Sequence, residues 1–214
     1  MISNWNYGDA YLRHPCDQSI IAFSNGSMVK VCDLTREMPD FMRQADLLFV
    51  DPPWTQGNLS GFYAKAGLLC AVDYPAFLES LFERIAQISP HTCYLEIGKD
   101  NLPEAMIKMR ALYPQVTFYN SHYYHRAQNL CYVVRGGKKR LRAKLDGLDE
   151  EDIIRWVCEN ETYQCIGDLC MGRGLVGINA FKNSKPFVGT ELNPRRLSVL
   201  LEQIVQLGGT YERI

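Results

Sequence analysis

Apolar and polar positions along the chain alternate in two rhythms, and the change from one to the other marks successive elements. From Leu47 to Val50 every residue is apolar, as expected of a central strand covered on both faces. From Tyr74 to Ile88 the apolar residues Phe77, Leu78, Leu81, Phe82 and Ile85 recur at three- and four-residue spacing, which predicts a helix. Strand-like segments are also read at Met28–Cys32, Thr92–Ile97, Val116–Tyr124 and Leu130–Arg135, the last two close enough to form an antiparallel pair at a sheet edge. A turn or short helix is expected near residues 37–44, a loop over 55–65, and helices near 102–112 and 150–159. Near the C-terminal end comes a strand to Asp168, a glycine turn and a helix through Phe181. A strand to Glu191 and a helix over 194–207 follow. Such alternation predicts an α/β fold with a mostly parallel sheet. Residues 1–27, including Trp5, Tyr7 and Tyr11, have no clear period and are read as an N-terminal arm or cap.

The chain has 214 residues, which suits one domain. Its net charge of −1 gives no overall attraction to nucleic acid, so phosphate binding would need a local patch. Eight cysteines and four histidines show no paired metal spacing. The thiols read as buried and free, in a reducing compartment, and no metal is expected. No signal-peptide pattern or membrane-length apolar run is seen, so the expectation is a cytoplasmic protein with no membrane partner.

Two motifs carry candidate chemistry. Asp51-Pro52-Pro53-Trp54 follows the buried strand at its carboxyl edge, where ligands bind in open α/β sheets. The two prolines remove backbone donors, leaving the Asp51 carboxylate and the Pro52 carbonyl as acceptors for an exocyclic amine, with Trp54 free to stack. A strand-ending turn with Trp54 in the core is the plainer alternative. The second motif, Gly172-x-Gly174-x-x-Gly177, follows a strand ending in Asp168 and precedes the strand ending in Glu191. This is the order of a nucleotide site, in which the glycines admit a ligand and the later acid bridges ribose hydroxyls. An oxidoreductase is disfavoured, because the sheet beyond the glycine turn has to be completed by strands from upstream.

Together the two motifs resemble the S-adenosylmethionine-dependent amino-methyltransferases, in particular the circularly permuted, beta-class DNA adenine N6 branch, in which the Asp-Pro-Pro-aromatic motif precedes the glycine motif. The likeness spans roughly residues 28–207. It implies one Rossmann-like methyltransferase domain over residues 1–214 with a seven-stranded, mostly parallel sheet, an antiparallel edge hairpin and no separate target-recognition domain. It implies S-adenosylmethionine as cofactor, held by Asp168, Cys170, Gly172, Gly174 and Asn193, with Glu191 at its ribose and Asp33 facing its adenine. Asp51, Pro52, Pro53 and Trp54 would be catalytic. An acidic first residue in that motif accompanies adenine N6 transfer, so DNA is the expected partner, with the target base flipped out and room left for a homodimer, as in restriction-modification enzymes.

Substrate contacts are assigned to Phe62 and Tyr63, which otherwise pack on the sheet, and to Lys138, Lys139, Arg140 and Arg142, which otherwise form a solvated linker. The run His122-Tyr123-Tyr124-His125-Arg126 reads either as a substrate wall or as a polar hairpin end. RNA or protein amine transfer, or an inactive cofactor-binding subunit, are the other functions compatible with these motifs.

Overall fold

The computed structural model describes residues 7–214, so Trp5 of the expected arm lies outside the described residues. One sheet runs through the chain, with β1 (Ile20–Phe23), β2 (Met28–Val31), β3 (Leu47–Val50) and β4 (Thr92–Ile97) in its first half. β5 (Gln115–His122), β6 (Leu130–Gly137), β7 (Ile166–Asp168), β8 (Phe187–Glu191) and β9 (Tyr211–Arg213) complete it. The spatial order is β5-β6-β4-β3-β7-β8-β2-β1-β9. β4, β3, β7, β8 and β2 are parallel neighbours, and β3, β4 and β8 are buried along their whole length. As the position of the glycine unit required, the strands flanking β7 and β8 come from upstream.

The helices are α1 (Ala10–Arg13), α2 (Gln56–Lys65), α3 (Tyr74–Ile88), α4 (Leu102–Leu112), α5 (Glu150–Asn160), α6 (Leu175–Lys182) and α7 (Pro194–Gln206). α2, α3 and α4 contribute Leu59, Phe77, Leu81, Ile85 and Met109 to a core on one face of the sheet. α5, α6 and α7 contribute Ile153, Val157, Ile178, Leu200 and Ile204 to a second core on the other. Full burial of one such side chain contributes about 1.5–3 kcal/mol, so the two faces together fix which side of each strand looks inward.

Three features differ from the expectation. The sheet has nine strands rather than seven, because β1 pairs antiparallel with β2 and β9 antiparallel with β1 at the edge opposite the β5–β6 hairpin. Ile20–Phe23 therefore belongs to the sheet and not to an arm. The segment expected as a loop over 55–65 is helix α2: Thr55 caps it by accepting from the Asn58 N–H at 3.2 Å, and Leu59 and Tyr63, one turn apart, are its buried face.

The expected edge hairpin is present as β5–β6, and α3 spans the residues its periodicity marks. Asp73 caps α3 by accepting from the Ala76 N–H at 2.9 Å, and Ser89 ends it in the left-handed conformation at φ 56°. Among the described residues no helix is long and apolar enough to cross a membrane. All eight cysteines are free, six of them buried.

Candidate active site

β3 and β7 are adjacent and parallel, but the chain leaves them in opposite directions, through α2 and α3 to β4 and through α6 to β8. Such a divergence opens a crevice at the carboxyl ends of the strands. Here it is a cleft of about 420 Å³, and Asp51, Trp54, Asp168, Gly172 and Glu191 all line it. The tetrapeptide and the glycine bend, more than a hundred positions apart, thus open into one cavity.

The wall after β7 and β8 is built from tethered carboxylates. Asp168, buried at the end of β7, accepts from the Cys170 N–H at 2.9 Å. Glu191, buried at the end of β8, accepts from the Gly172 N–H at 2.6 Å and the Asn193 N–H at 2.9 Å. Burial pushes both acids upward in pKa, far for Asp168 and less for Glu191, where Arg196 and these backbone donors pull the other way. The bend needs its glycines: Gly174 sits at φ 83°, and a Cβ there would come within 2.6 Å of Leu200. Gly177 lets α6 lie close on β8, since a Cβ there would meet the Phe187 ring at 2.8 Å.

Asp33, just past β2, reaches the same cleft. Its Oδ1 accepts from the Thr35 hydroxyl at 2.7 Å, and the Tyr63 hydroxyl donates to it at 2.8 Å.

The other wall follows β3 and β4. The Trp54 indole N–H donates to Asp51 Oδ1 at 3.1 Å, which orients the carboxylate. Asp51 is open to the cleft while its other surroundings are protein, and this desolvation, reinforced by the Glu150 charge, raises it to about 7 against the pull of Trp54 and Arg196. Pro52 and Pro53 are buried. Tyr123 meets the Trp54 ring edge-on at 5.5 Å, and Tyr124 meets Tyr123 at 5.1 Å, so two rings of the β5–β6 turn extend the wall. Asp149 fastens that turn. It caps α5, accepts from the His125 N–H at 2.7 Å, and faces the His122 ring at 3.7 Å.

No protein-family model matches the chain, and no curated protein sequence does. Its fold is that of solved DNA methyltransferases. M1.HpyAVI is 13% identical with a TM-score of 0.58, over 82% of this chain and 97% of that one. TTHA0409 from Thermus thermophilus, a putative DNA modification methylase solved with S-adenosyl-L-methionine, is 15% identical with a TM-score of 0.59, over 83% and 93%. The cytosine-N4-specific PvuII DNA methyltransferase is 8% identical with a TM-score of 0.54, over 85% and 90%. At these identities the likeness is one of fold.

The site residues read from the sequence do not all meet. Asp33, Asp51, Pro52, Pro53, Trp54, Phe62, Tyr63, Asp168, Cys170, Gly172 and Glu191 share the cleft wall. Gly174 and Asn193 stand behind it. Asn193 caps α7 by accepting from the Arg195 N–H at 2.9 Å, and its side chain donates to the Lys65 carbonyl at 3.1 Å.

Tyr63, assigned to the substrate side, is buried, and its hydroxyl is spent on Asp33. Phe62 lies under the Arg196 guanidinium at 4.6 Å, on the Glu191 side of the cleft.

The basic run is displaced altogether. Gly137 pairs with Thr92 at the start of β4, so Lys138, Lys139, Arg140 and Arg142 follow the end of the sheet opposite the cleft. None of the four lines the cavity.

Conversely, Glu96 and Glu150 line the cleft and carry no motif. The available signal was position alone, since an acid near the carboxyl end of a strand beside β3 falls where ligands bind.

Proposed function

We propose that this protein transfers a methyl group from S-adenosylmethionine to the exocyclic amine of a base in DNA, with adenine N6 as the target. The observation that carries the reading is that Asp51–Trp54 and the Asp168–Gly172–Glu191 wall face one cleft. The donor set fits the cofactor: a wall of buried carboxylates suits a cationic amino acid and ribose hydroxyls, and the Gly172 turn brings backbone close to a ligand. Asp168 would hold the amino-acid part, Glu191 the ribose and Asp33 the adenine. When bound, the cofactor supplies an electrophilic methyl on a sulfonium.

An exocyclic amine is a weak nucleophile because its lone pair is delocalised into the ring. Asp51 and the Pro52 carbonyl accept its hydrogens, which favours a pyramidal nitrogen with the pair available for bonding. The positive charge that grows on nitrogen then meets acceptors already in place. Asp51 is also positioned to take the proton the methylated nitrogen releases. Trp54 holds the ring by stacking, worth about 1–3 kcal/mol per base, which offsets part of the few kcal/mol needed to flip the base from a duplex.

Asp51 as the first residue of the tetrapeptide favours adenine. The fold likeness to a cytosine-N4 enzyme keeps cytosine N4 as the second reading. The test is transfer of labelled methyl from cofactor to separate DNA, RNA and protein pools, followed by digestion of the DNA. N6-methyladenine is the expected product, N4-methylcytosine would move the target, and label confined to RNA or protein would overturn the reading.

A further inference from the structure

Glu96 is the least explained group in the cleft. It is 1% exposed, and neither carboxylate oxygen has a hydrogen-bond partner among the described residues. A buried carboxylate left this way costs several kcal/mol in ionised form, so the position calls for a proton or a ligand. Its place is set by register. Val50 pairs with Leu95 in parallel β3 and β4, so Asp51 and Glu96 are the next residues on neighbouring strands and face the same cavity.

The groups around Glu96 are Asp51 beyond β3, the Cys131 thiol on β6 and Glu150 at the start of α5. Ligand atoms of Glu96, Cys131 and Glu150 lie within 4.8 Å of one another. Arg196 draws Asp51 downward and His125 draws Glu150 downward, each against the larger effect of burial. Two carboxyl groups this close in a desolvated pocket share one proton. Burial drives both acids upward, Glu96 farther because the charges of Asp51 and Glu150 stand behind it and Glu150 less because Glu96 pulls it down, so the more deeply buried Glu96 is the member that carries the proton.

A pocket with acceptors at Asp51 and Pro52 and a donor beside them has a definite complement. We propose that Glu96 determines base specificity: as the neutral member of the pair it turns the hydrogen it shares with Glu150 toward the ring nitrogen adjacent to the amine held by Asp51, so the pocket admits bases that set an amine beside an unprotonated ring nitrogen. Adenine, through N1, and cytosine, through N3, have that edge. Thymine opposes it at both points, with a carbonyl against the Asp51 carboxylate and an N–H against the acid hydrogen. Guanine sets an N–H on one side of its amine; its unprotonated N3, on the other side, adjoins the ring carbon bonded to the glycosidic nitrogen, so presenting that edge would turn the sugar into the wall. The inference rests on the transfer reading above and extends it from the amine to the neighbouring ring atom.

The experiment is a cycle of protein and substrate changes. A DNA duplex that the wild-type protein methylates is compared with the same duplex carrying 1-deazaadenine at the target, in which C–H replaces N1; 3-deazacytosine serves if cytosine is the target. kcat/KM for both is measured with wild-type protein, Glu96→Gln and Glu96→Leu, after thermal unfolding and cofactor titration have verified that each variant is folded.

The wild-type protein is expected to disfavour the deaza base by about tenfold, the size of one hydrogen bond to a buried partner. Glu96→Gln, whose amide still donates, keeps that ratio within about threefold, and Glu96→Leu brings it to near one. An unchanged ratio in Glu96→Leu overturns the proposal. So does activity abolished by a chelator and restored by zinc, which would make the cluster a metal site. Absence of methylation by the wild-type protein would defeat the transfer reading itself, an outcome separable from a wild-type enzyme that methylates without consulting Glu96.

Discussion

The two walls of the cleft use the same functional group in opposite ways. Beyond β7 and β8 the carboxylates are tied to backbone: Glu191 accepts from two N–H groups and Asp168 from one. Beyond β3 and β4 they are not: Asp51 has a single indole donor, and Glu96 has none. Backbone N–H groups are supplied by a turn and cannot leave, so the first wall is shaped before any ligand arrives. The second wall is short of donors. On the proposed reading an incoming amine would provide them, a rigid cofactor side and an unsatisfied acceptor side would divide the work of binding and chemistry, and substitutions on the two sides should separate in their effects.

The largest separation is expected at Asp51. Asp51→Ala removes the acceptor on which the reacting nitrogen depends and should lower kcat by about 10²–10³, the usual cost of losing one preorganised partner of developing charge. Cofactor affinity, read by calorimetry, should change by less than about threefold, since charge pairs near Asp51 are open to the cleft. Comparable losses of both would erase the distinction between the walls.

The next effect is the pH dependence of the same group. The active form is the carboxylate, and with Asp51 raised to about 7 its ionised fraction falls as pH drops through that value. The rate should therefore fall about tenfold per unit at pH below about 7 and level off above it. Because Glu150 is one cause of the rise, the midpoint belongs to the coupled acids rather than to Asp51 alone. A bound cation favours the ionised form, so kcat at saturating cofactor should show a lower midpoint than kcat/KM for the cofactor. A profile that is flat from about pH 5 to about pH 8, the range a carboxyl raised this far must titrate in, would remove Asp51 from the rate-limiting chemistry.

Trp54 allows stacking and hydrogen bonding to be told apart. Trp54→Ala should weaken DNA binding by about 1–3 kcal/mol. Trp54→Phe keeps a stacking ring and loses the N–H that lowers Asp51, so its pH midpoint should move up while DNA affinity changes less. On the opposite wall, Glu191→Gln sets an amide N–H against one of the two backbone donors. About tenfold weaker cofactor binding is expected, near the lower value for a hydrogen bond to a charged group, with KM for DNA little altered.

How far the sequence discloses this arrangement depends on where the information resides. β3 and α3 were legible because their residues bury in the pattern that periodicity detects, and the two motifs were legible because their chemistry is local. α2 was not, since its burial rests on Leu59 and Tyr63 alone and its start on a cap. β1 and β9 were not: β1 buries only alternate residues and β9 buries none, so neither has the unbroken burial that marks β3, and both exist through their partners.

Glu96 was hidden by its strand. An acid within Thr92–Ile97 reads as a solvent-facing position, whereas all six residues are buried once β3, β6 and α5 surround them. Tyr123 and Tyr124 stood out as a cluster, but their place beside Trp54 depends on the turn that Asp149 fastens from a distant part of the chain. Local chemistry was readable, and proximity between elements was readable only where a short hairpin or the order of the two motifs implied it.

The smallest effect is expected where charge suggested a large one. Lys138, Lys139, Arg140 and Arg142 look in sequence like a phosphate-binding run, but the pairing of Gly137 with Thr92 carries them to the amino end of the parallel strands, away from both walls. Phosphate contacts position a duplex only if they lie on the face that the target base enters. Replacing all four with alanine should leave KM for DNA within about twofold at moderate salt, and should leave the slope of log affinity against log salt unchanged, whereas four lost phosphate contacts would flatten it by about 3.6. A slope that flattens toward that value would mean that DNA wraps from the cleft around the sheet to its far end, and the acceptor wall would then be only the inner part of a much longer track.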